Sequence, residues 1–216
     1  MTNVHGARDG IAKETGRIKA IYDRTAQRYD LSAENGSRMI GDGRAWLAGQ
    51  ARGDTLEVGV GTGRTLAWYP EAVRLTGIEL SPAMLDLAIG RAARLGRIAD
   101  LRRGDATALP FADASFDTVT FCLSLCTIPD DHVAFAEAVR VLRPGGRIVA
   151  LEHTRSTHLA VRILERLAEP FTVRSSGDHL LRDPLDHVAG HGLSVEHLER
   201  RFLGAMERLV VRKPAG

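Results

Sequence analysis

The chain has 216 residues, enough for one domain with a substantial core, and its composition is that of an ordinary globular protein. Its 29 basic and 27 acidic side chains give a net charge of +2, which argues against a dedicated nucleic-acid-binding protein. Because it has no run of about 18 apolar residues and no apolar signal core, we expect a cytoplasmic protein without a membrane span.

The first quarter of the chain, residues 1–53, is predicted to be helical, with a second helix over about 37–49. A regular alternation of strands and helices follows. Strands are predicted at 55–60, 74–80, 98–105, 115–125 and 147–153, with helices starting near residues 64, 81 and 129. This order indicates an α/β fold built on a mainly parallel sheet.

The last quarter is predicted to contain two more helices and a pair of strands. The first helix, near 157–169, is amphipathic and carries an apolar stripe that includes Ile163 and Leu167. The second lies near 183–190, and the strand pair follows it. We expect the stripe either to line a pocket for a hydrophobic substrate or to belong to the core.

The segment 56–63, Leu-Glu-Val-Gly-Val-Gly-Thr-Gly, is typical of an apolar strand that runs into a glycine turn. Glycines let the backbone turn tightly and approach a ligand closely. A dinucleotide fingerprint would require Gly or Ala at position 64, where this chain has Arg64. The glycine loop alone therefore does not identify the ligand.

Acidic residues at later strand ends narrow the choice of ligand. In an open parallel sheet, ligands bind beyond the carboxyl ends of the strands. Glu79 ends the second strand, 20 positions after Gly59, and is placed to accept hydrogen bonds from both hydroxyls of a ribose. Asp105 follows the third strand and can accept from an exocyclic amino group such as that of adenine.

Four separated motifs occur in order: LEVGVGTG (56–63), GIELSPAML (77–85), GDATALPFADASFD (104–117) and LRPGGRIVALEH (142–153). Together they resemble class I S-adenosylmethionine-dependent methyltransferases over residues 20–153. The resemblance implies a Rossmann-like, seven-stranded, mainly parallel sheet with helices on both faces and an antiparallel C-terminal strand pair. It also implies S-adenosyl-L-methionine as the cofactor and S-adenosyl-L-homocysteine as the product.

The resemblance assigns a role to each candidate cofactor residue. The glycines approach the methionine part, Glu57 lies near its ammonium group, and Glu79 takes the ribose. The residues that surround the adenine are Leu80, Met84, Asp105 and Ala106, and those of the glycine turn are Gly59, Gly61 and Gly63. Cys122 is expected at the other end of the ligand. Taken singly, Leu80 and Met84 could be core residues, Asp105 a turn residue and Glu57 a strand-edge charge.

The segment IYDRTAQRYD (21–30) resembles the Y-D segment of quinone-biosynthesis C-methyltransferases. Tyr22 and Tyr29 are seven residues apart, so they share one helix face and are expected to close over the cofactor and exclude water. The alternative is that they only pack the helix onto the sheet. Later segments resemble a subgroup of these enzymes that includes thiol S-methyltransferases and bacterial small-molecule and phospholipid methyltransferases.

The acceptor is expected to be a small molecule. No Asn-Pro-Pro-Tyr type tetrapeptide follows the fourth strand, which argues against nucleic acid and release factors as substrates. His153 and His179 are candidates for a general base, since histidine titrates near neutrality. We favour S-methylation of a thiol; C- or O-methylation of a quinone or phenol, N-methylation of a phospholipid head group and a non-catalytic cofactor-binding protein remain open.

We therefore expect a single methyltransferase domain with four parts: a helical cap at 1–53, a cofactor-binding core at 54–153, a substrate cover at 154–190 and terminal strands at 191–216. No metal site is predicted, and the oligomeric state is left open. A nicotinamide-dependent oxidoreductase is disfavoured by Arg64 and by the lack of a recognisable hydride-transfer site.

Overall fold

A computed structural model describes residues 3–34 and 40–216. The helices are α1 (Asn3–Glu34), α2 (Gly43–Gly49), α3 (Pro82–Leu95), α4 (Asp131–Val141) and α5 (Leu159–Ser175). The strands are β1 (Asp54–Val58), β2 (Arg74–Glu79), β3 (Ala99–Arg103), β4 (Phe116–Cys122), β5 (Leu142–His153), β6 (Ser194–Arg201) and β7 (Met206–Arg212). The helix predicted over 37–49 lies partly outside the described residues, and its described part is α2.

The seven strands form one sheet in the order β3-β2-β1-β4-β5-β7-β6. Strands β1 to β5 are parallel, whereas β7 runs antiparallel to both β5 and β6. This is the predicted Rossmann-like fold. Because the strand order reverses between β1 and β4, the carboxyl ends of these two central strands open a crevice at the edge of the sheet.

Apolar side chains pack on both faces of the sheet. One cluster places Phe121 of β4 against Phe135 of α4, and the other places Leu47 of α2 and Leu75 of β2 together. All four side chains are buried, which is expected for a parallel sheet covered by helices on both faces. The two layers hold the carboxyl ends of the strands in fixed relative positions.

The helix α3 begins and ends where the sequence predicts. The side chain of Ser81 caps it by accepting a hydrogen bond from the amide of Met84 at 3.2 Å, and Pro82 occupies its first turn. Gly96 ends it in the left-handed conformation, with φ of +61°. The start of α3 is thereby fixed beside the end of β2, next to Glu79.

Two predicted helices are only short 3-10 turns. The helix predicted from residue 64 is one turn, Leu66–Trp68, because Tyr69 precedes a proline and takes an extended conformation. The helix predicted near 183–190 is a pair of turns, Pro184–His187 and Ala189–His191, which ends at left-handed Gly192. In both places the chain makes short turns instead of a continuous helix.

The amphipathic helix α5 exists, but both predictions for its apolar stripe are wrong. The stripe forms neither core nor pocket wall: Leu167 is 73% exposed and Phe171 is 75% exposed. No residue of α5, all of which is described, is buried. Among the helices in the described parts of the chain, none combines the length and apolar character needed to cross a membrane.

Candidate active site

A cleft of about 960 Å³, including its open mouth, lies beyond the carboxyl ends of β1, β2 and β4 and beneath α1. The cleft brings together residues that are far apart in the sequence. Of the twelve predicted cofactor residues, eleven line it: Tyr22, Tyr29, Glu57, Gly59, Gly61, Glu79, Leu80, Met84, Asp105, Ala106 and Cys122.

The three glycines of the turn have different surroundings. All take positive φ angles, +72° at Gly59, +56° at Gly61 and +77° at Gly63, which side chains rarely adopt. A Cβ at Gly61 would meet no protein atom within 4 Å. A Cβ at Gly63 would lie 3.0 Å from the Cα of Ala88 in α3. Gly61 therefore faces the cleft, whereas Gly63 lies outside it and allows α3 to pack closely.

Glu57 lies at the end of β1 and is only 1% exposed. Burial raises the pKa of its carboxyl to about 8, against the opposing effect of hydrogen bonds from Thr65 and Tyr69. Its Oε2 atom has no hydrogen-bond partner among the described residues. A buried acceptor without a donor costs about 1–3 kcal/mol. An ammonium group in the cleft would supply that donor, so this site fits the methionine end of S-adenosylmethionine.

Glu79 is held in the cleft wall by backbone amides. Its Oε2 accepts from the amide of Gly61 and its Oε1 from the amide of Ser81, each at 2.9 Å. Burial raises the pKa of this carboxyl, and the amides partly offset that effect. Each oxygen keeps acceptor capacity for a further donor such as a ribose hydroxyl.

Asp105 both shapes a turn and lines the cleft. Its Oδ1 accepts from the amide and the hydroxyl of Thr107, at 2.9 and 2.7 Å. The predicted turn role and the predicted binding position therefore coincide at one residue. Met84 is both a core residue and part of the cleft wall, because it is only 2% exposed and lines the cleft.

Helix α1 covers the cleft with two tyrosines. The rings of Tyr22 and Tyr29 lie edge to face with centroids 6.3 Å apart, and both line the cleft. Burial raises the pKa of both phenols, which keeps their hydroxyls protonated. The helix face that their spacing predicts they share is thus turned towards the cleft.

Asp30 and Asp23 fasten α1 over the glycine turn. The carboxylate of Asp30 accepts from Arg91 at 2.6 Å, and its backbone carbonyl accepts from Arg64 at 2.8 Å. Asp23 accepts from the hydroxyl of Ser81 at 2.6 Å. Arg64 occupies the position of the third fingerprint glycine. Its hydrogen bond to Asp30 therefore joins α1 to the glycine turn.

The loop after β4 forms another wall of the cleft and is held by Glu152, a residue that the sequence analysis did not select. The Glu152 carboxylate is buried and accepts from the amides of Ser124 at 2.8 Å and Leu125 at 3.0 Å. Burial raises its pKa to about 7, against these amides. Its position in the Leu-Glu-His motif at a strand end was the available signal.

Arg182 holds the same loop from the opposite side. Its guanidinium donates to four carbonyls, those of Leu125, Cys126, Ile128 and Pro129, at 2.6 to 3.3 Å. It also forms an ion pair with Asp131 at 3.3 Å. The segment 177–183, Gly-Asp-His-Leu-Leu-Arg-Asp, therefore contributes an anchor for the cleft wall through its arginine.

The two candidate bases lie outside the cleft. His153 adjoins Glu152 on β5, and because successive strand residues point to opposite faces it turns away from the loop that Glu152 holds. Burial lowers the pKa of His153. The Nδ1 atom of His179 lies 3.6 Å from Glu169 of α5, in an open depression between α1 and α5, and burial lowers its pKa.

The lining of the cleft also includes Cys122 and several apolar side chains. Ile18, Leu123 and Ile128 line the cleft with it. Burial raises the pKa of the Cys122 thiol to about 12, so it stays uncharged. Arg44 of α2 also lines the cleft, and its positive charge opposes this rise. Arg44 is not among the predicted site residues, since nothing in its local sequence distinguishes it.

A separate polar cluster joins α4 to the segment that follows α5. His187 Nε2 lies 3.0 Å from Asp131 Oδ2, and His187 Nδ1 lies 3.2 Å from His132 Nδ1. These potential ligand atoms all lie within 4.8 Å of one another. Both ring nitrogens of buried His187 are occupied by protein partners, and the cluster holds the segment that follows α5 against α4.

Comparison with known proteins identifies methyltransferases among the relatives of this chain. Residues 56–150 match the family described as a methyltransferase domain. A demethylmenaquinone methyltransferase of Renibacterium salmoninarum is 33% identical over 159 residues, which cover 70% of this chain and 65% of that protein. The chain thus spans somewhat less than two thirds of that relative.

Two further proteins extend the comparison. A phosphatidylethanolamine N-methyltransferase of Cereibacter sphaeroides is 39% identical over 103 residues, covering 47% of this chain and 51% of that protein. The crystal structure of a SAM-dependent methyltransferase, a possible histamine N-methyltransferase from Thermotoga maritima, superposes with a TM-score of 0.69 at 21% identity. That superposition covers 90% of this chain and 99% of the other, and it supports the fold.

Proposed function

Since the chain belongs to the class I S-adenosylmethionine-dependent methyltransferases, we propose that it transfers the cofactor's methyl group to a small apolar acceptor bound beneath α1. The observation that carries this proposal is the unpartnered Oε2 of Glu57 in a cleft that apolar side chains also line. An ammonium group would give Oε2 a donor, and the apolar side chains suit an apolar acceptor. The two together suit a sulfonium cofactor and its acceptor.

When bound, S-adenosylmethionine supplies a methyl group made electrophilic by the positively charged sulfur. Glu57 would accept a hydrogen bond from the ammonium group, and Glu79 would accept from the ribose hydroxyls. Asp105 and Ala106 would contact the adenine edge. The role of Tyr22 and Tyr29 is to exclude water and to restrict the acceptor to one approach, and such alignment supplies about 7–11 kcal/mol in well-oriented reactions.

We propose a quinol as the acceptor, methylated on a ring carbon. The apolar side chains in the cleft lining, Ile18, Leu123 and Ile128, suit a ring, and the named activity of the Renibacterium relative supports this class. Arg44 would favour loss of the proton from a ring hydroxyl, because a nearby positive charge lowers the pKa of an acid. The resulting oxyanion makes the adjacent carbon nucleophilic. That carbon gains the methyl group and releases its hydrogen as a proton, while the bonding pair of the broken carbon–sulfur bond remains on sulfur.

S-methylation of a thiol, which the sequence favours with a histidine base, has less support from this geometry. Neither His153 nor His179 lines the cleft. N-methylation of a phospholipid head group is the second candidate, because the Cereibacter relative that carries this name is 39% identical over its matched part. An amine acceptor would need to lose its proton before transfer, and Arg44 would disfavour its charged form.

The experiment is a methyl-transfer assay with radiolabelled S-adenosylmethionine on quinols, aromatic thiols and phosphatidylethanolamine, with product identification. We expect a C-methylated quinol and a large loss of its formation in Arg44→Gln. The matched control is Arg103→Gln, because Arg103 is exposed at the end of β3 and lies outside the cleft. Transfer only to sulfur or only to the lipid amine would overturn the acceptor assignment, and cofactor binding without any transfer would favour the non-catalytic alternative.

A further inference from the structure

We propose that one face of α5, together with the turn between β6 and β7, docks the protein onto a membrane surface that contains anionic lipids. We call this surface the α5 face. It consists of Leu159, Ile163, Leu164, Leu167 and Phe171 of the helix and of Phe202 and Leu203 of the turn. The inference goes beyond the proposed methyl transfer and does not depend on it.

Most amphipathic helices of globular proteins turn their apolar face to the core and their polar face to solvent. In helix α5 this arrangement is reversed. Its apolar residues point to solvent: Leu159 and Leu164 are each 65% exposed and Ile163 is 51% exposed. Its polar side faces the protein, where Glu165 accepts from the amide of Ser156 at 2.9 Å. A helix whose apolar side faced water without compensation would be unfavourable, so the α5 face indicates a partner that is itself apolar.

The turn between β6 and β7 extends this face beyond the helix. Phe202 is 45% exposed and Leu203 is 56% exposed. The carbonyl of Leu203 accepts from the amide of Thr157 at 3.2 Å and from the hydroxyl of Ser156 at 2.6 Å. These bonds hold the turn, with its two exposed apolar side chains, next to the start of α5.

The charges on α5 select the kind of partner. Its two acidic residues are drawn towards the protein, Glu165 to Ser156 and Glu169 to His179. Its three arginines, Arg162, Arg166 and Arg174, are all exposed. An exposed apolar stripe on a helix whose arginines are also exposed suits the interface of a bilayer, where the apolar side chains enter the acyl boundary and the arginines meet lipid phosphates.

The α5 face is connected to the cleft through α1. Arg17 of α1 donates to the carbonyls of Val173 and Arg174 at the end of α5, at 2.8 and 2.9 Å. Ile18 and Tyr22, on the same helix, line the cleft. A bilayer bound at the α5 face would therefore lie close to the helix that covers the acceptor, which would suit an acceptor dissolved in lipid.

The test is co-sedimentation of the full chain with phosphatidylcholine vesicles, with or without phosphatidylglycerol. We expect binding to the anionic vesicles and a loss of roughly tenfold or more in the double variant Leu164→Glu/Leu167→Glu. The matched control is Ile98→Glu, since Ile98 is an apolar residue 92% exposed away from the α5 face. It should bind as the unaltered chain does.

Calorimetry with S-adenosylmethionine checks that each variant is folded, and vesicle binding is measured without turnover. A failure of methyl transfer therefore leaves this result intact. Equal vesicle binding by the double variant and the unaltered chain would overturn the proposal. It would also be overturned if the unaltered chain ignored anionic vesicles but formed a dimer that the double variant abolished, because the α5 face would then bind a second copy.

Discussion

Glu57 and Arg44 line the same cleft, where burial raises the pKa of the Glu57 carboxyl to about 8 and the charge of Arg44 partly opposes that rise. The Glu57 carboxyl is therefore mostly protonated at neutral pH when the cleft holds no cationic ligand. Its protonation and the binding of a positively charged ligand are competing events. This competition makes the role of Glu57 measurable without any acceptor.

Binding of S-adenosylmethionine should release a proton from Glu57. At pH 6.5 the carboxyl is protonated in the free protein, and an ammonium group beside it favours the ionised form, so we expect release of roughly one proton. Calorimetry in buffers of different ionisation enthalpy measures this number. Glu57→Gln should bind more weakly and release none; proton release that persists in this variant would show that another group titrates.

Replacement of Gly61 by alanine should weaken cofactor binding beyond its effect on stability. The φ angle of +56° costs an alanine about 1 kcal/mol, and the added methyl group would enter the cleft. Gly96→Ala is the matched control, because Gly96 has φ of +61°, has open space for a Cβ and lies outside the cleft. Both should lower the free energy of unfolding similarly, and only Gly61→Ala should raise the Kd; equal affinities would contradict the placement of Gly61.

Glu152 should make the protein less stable as pH rises. Its folded-state pKa of about 7 lies above the ordinary 4.5, so its contribution is complete below pH 4.5 and is lost as pH rises through 7. Between pH 5 and 8 the unaltered chain should lose about 2 kcal/mol more than Glu152→Gln. Urea unfolding at both pH values measures this; parallel losses would mean that Glu152 is ionised throughout.

His153→Gln and His179→Gln should retain turnover within a few-fold and an unchanged pH profile. Both side chains lie outside the cleft, and His179 is directed at Glu169. Loss of a general base lowers rates by about 10²–10⁴. A loss of that size in either variant, with unchanged cofactor affinity, would show that the histidine reaches the acceptor after a rearrangement.

Features governed by short sequence spacings could be predicted from the sequence. The glycine turn, Glu79 and the Ser81 cap belong to one strand–turn–helix unit, where the spacing itself determines which groups meet. The helix face shared by Tyr22 and Tyr29 follows from helical periodicity in the same way. Eleven of the twelve selected residues line one cleft; those outside this unit and α1, such as Asp105 and Cys122, were placed by their position at strand ends and by the resemblance.

Features that depend on distant contacts could not be predicted. Arg182 binds carbonyls more than 50 positions away, and Glu152 binds amides 26 to 28 positions away. The stripe of α5 has the same periodicity whether it faces a core or solvent, so its exposure had no local signal. The adjacency of Glu152 and His153 was informative, however, since neighbouring strand residues cannot face the same side.

The two anchors of the loop after β4, Glu152 and Arg182, affect how the preference for an acceptor can change. Glu152 holds this loop by its amides and Arg182 holds it by its carbonyls, so both anchors act on backbone groups that every residue type except proline provides in full. The side chains of Leu123 and Ile128 also line the cleft, and neither takes part in these backbone hydrogen bonds. They are therefore the positions at which evolution or a designer could alter the acceptor while keeping the cofactor site intact.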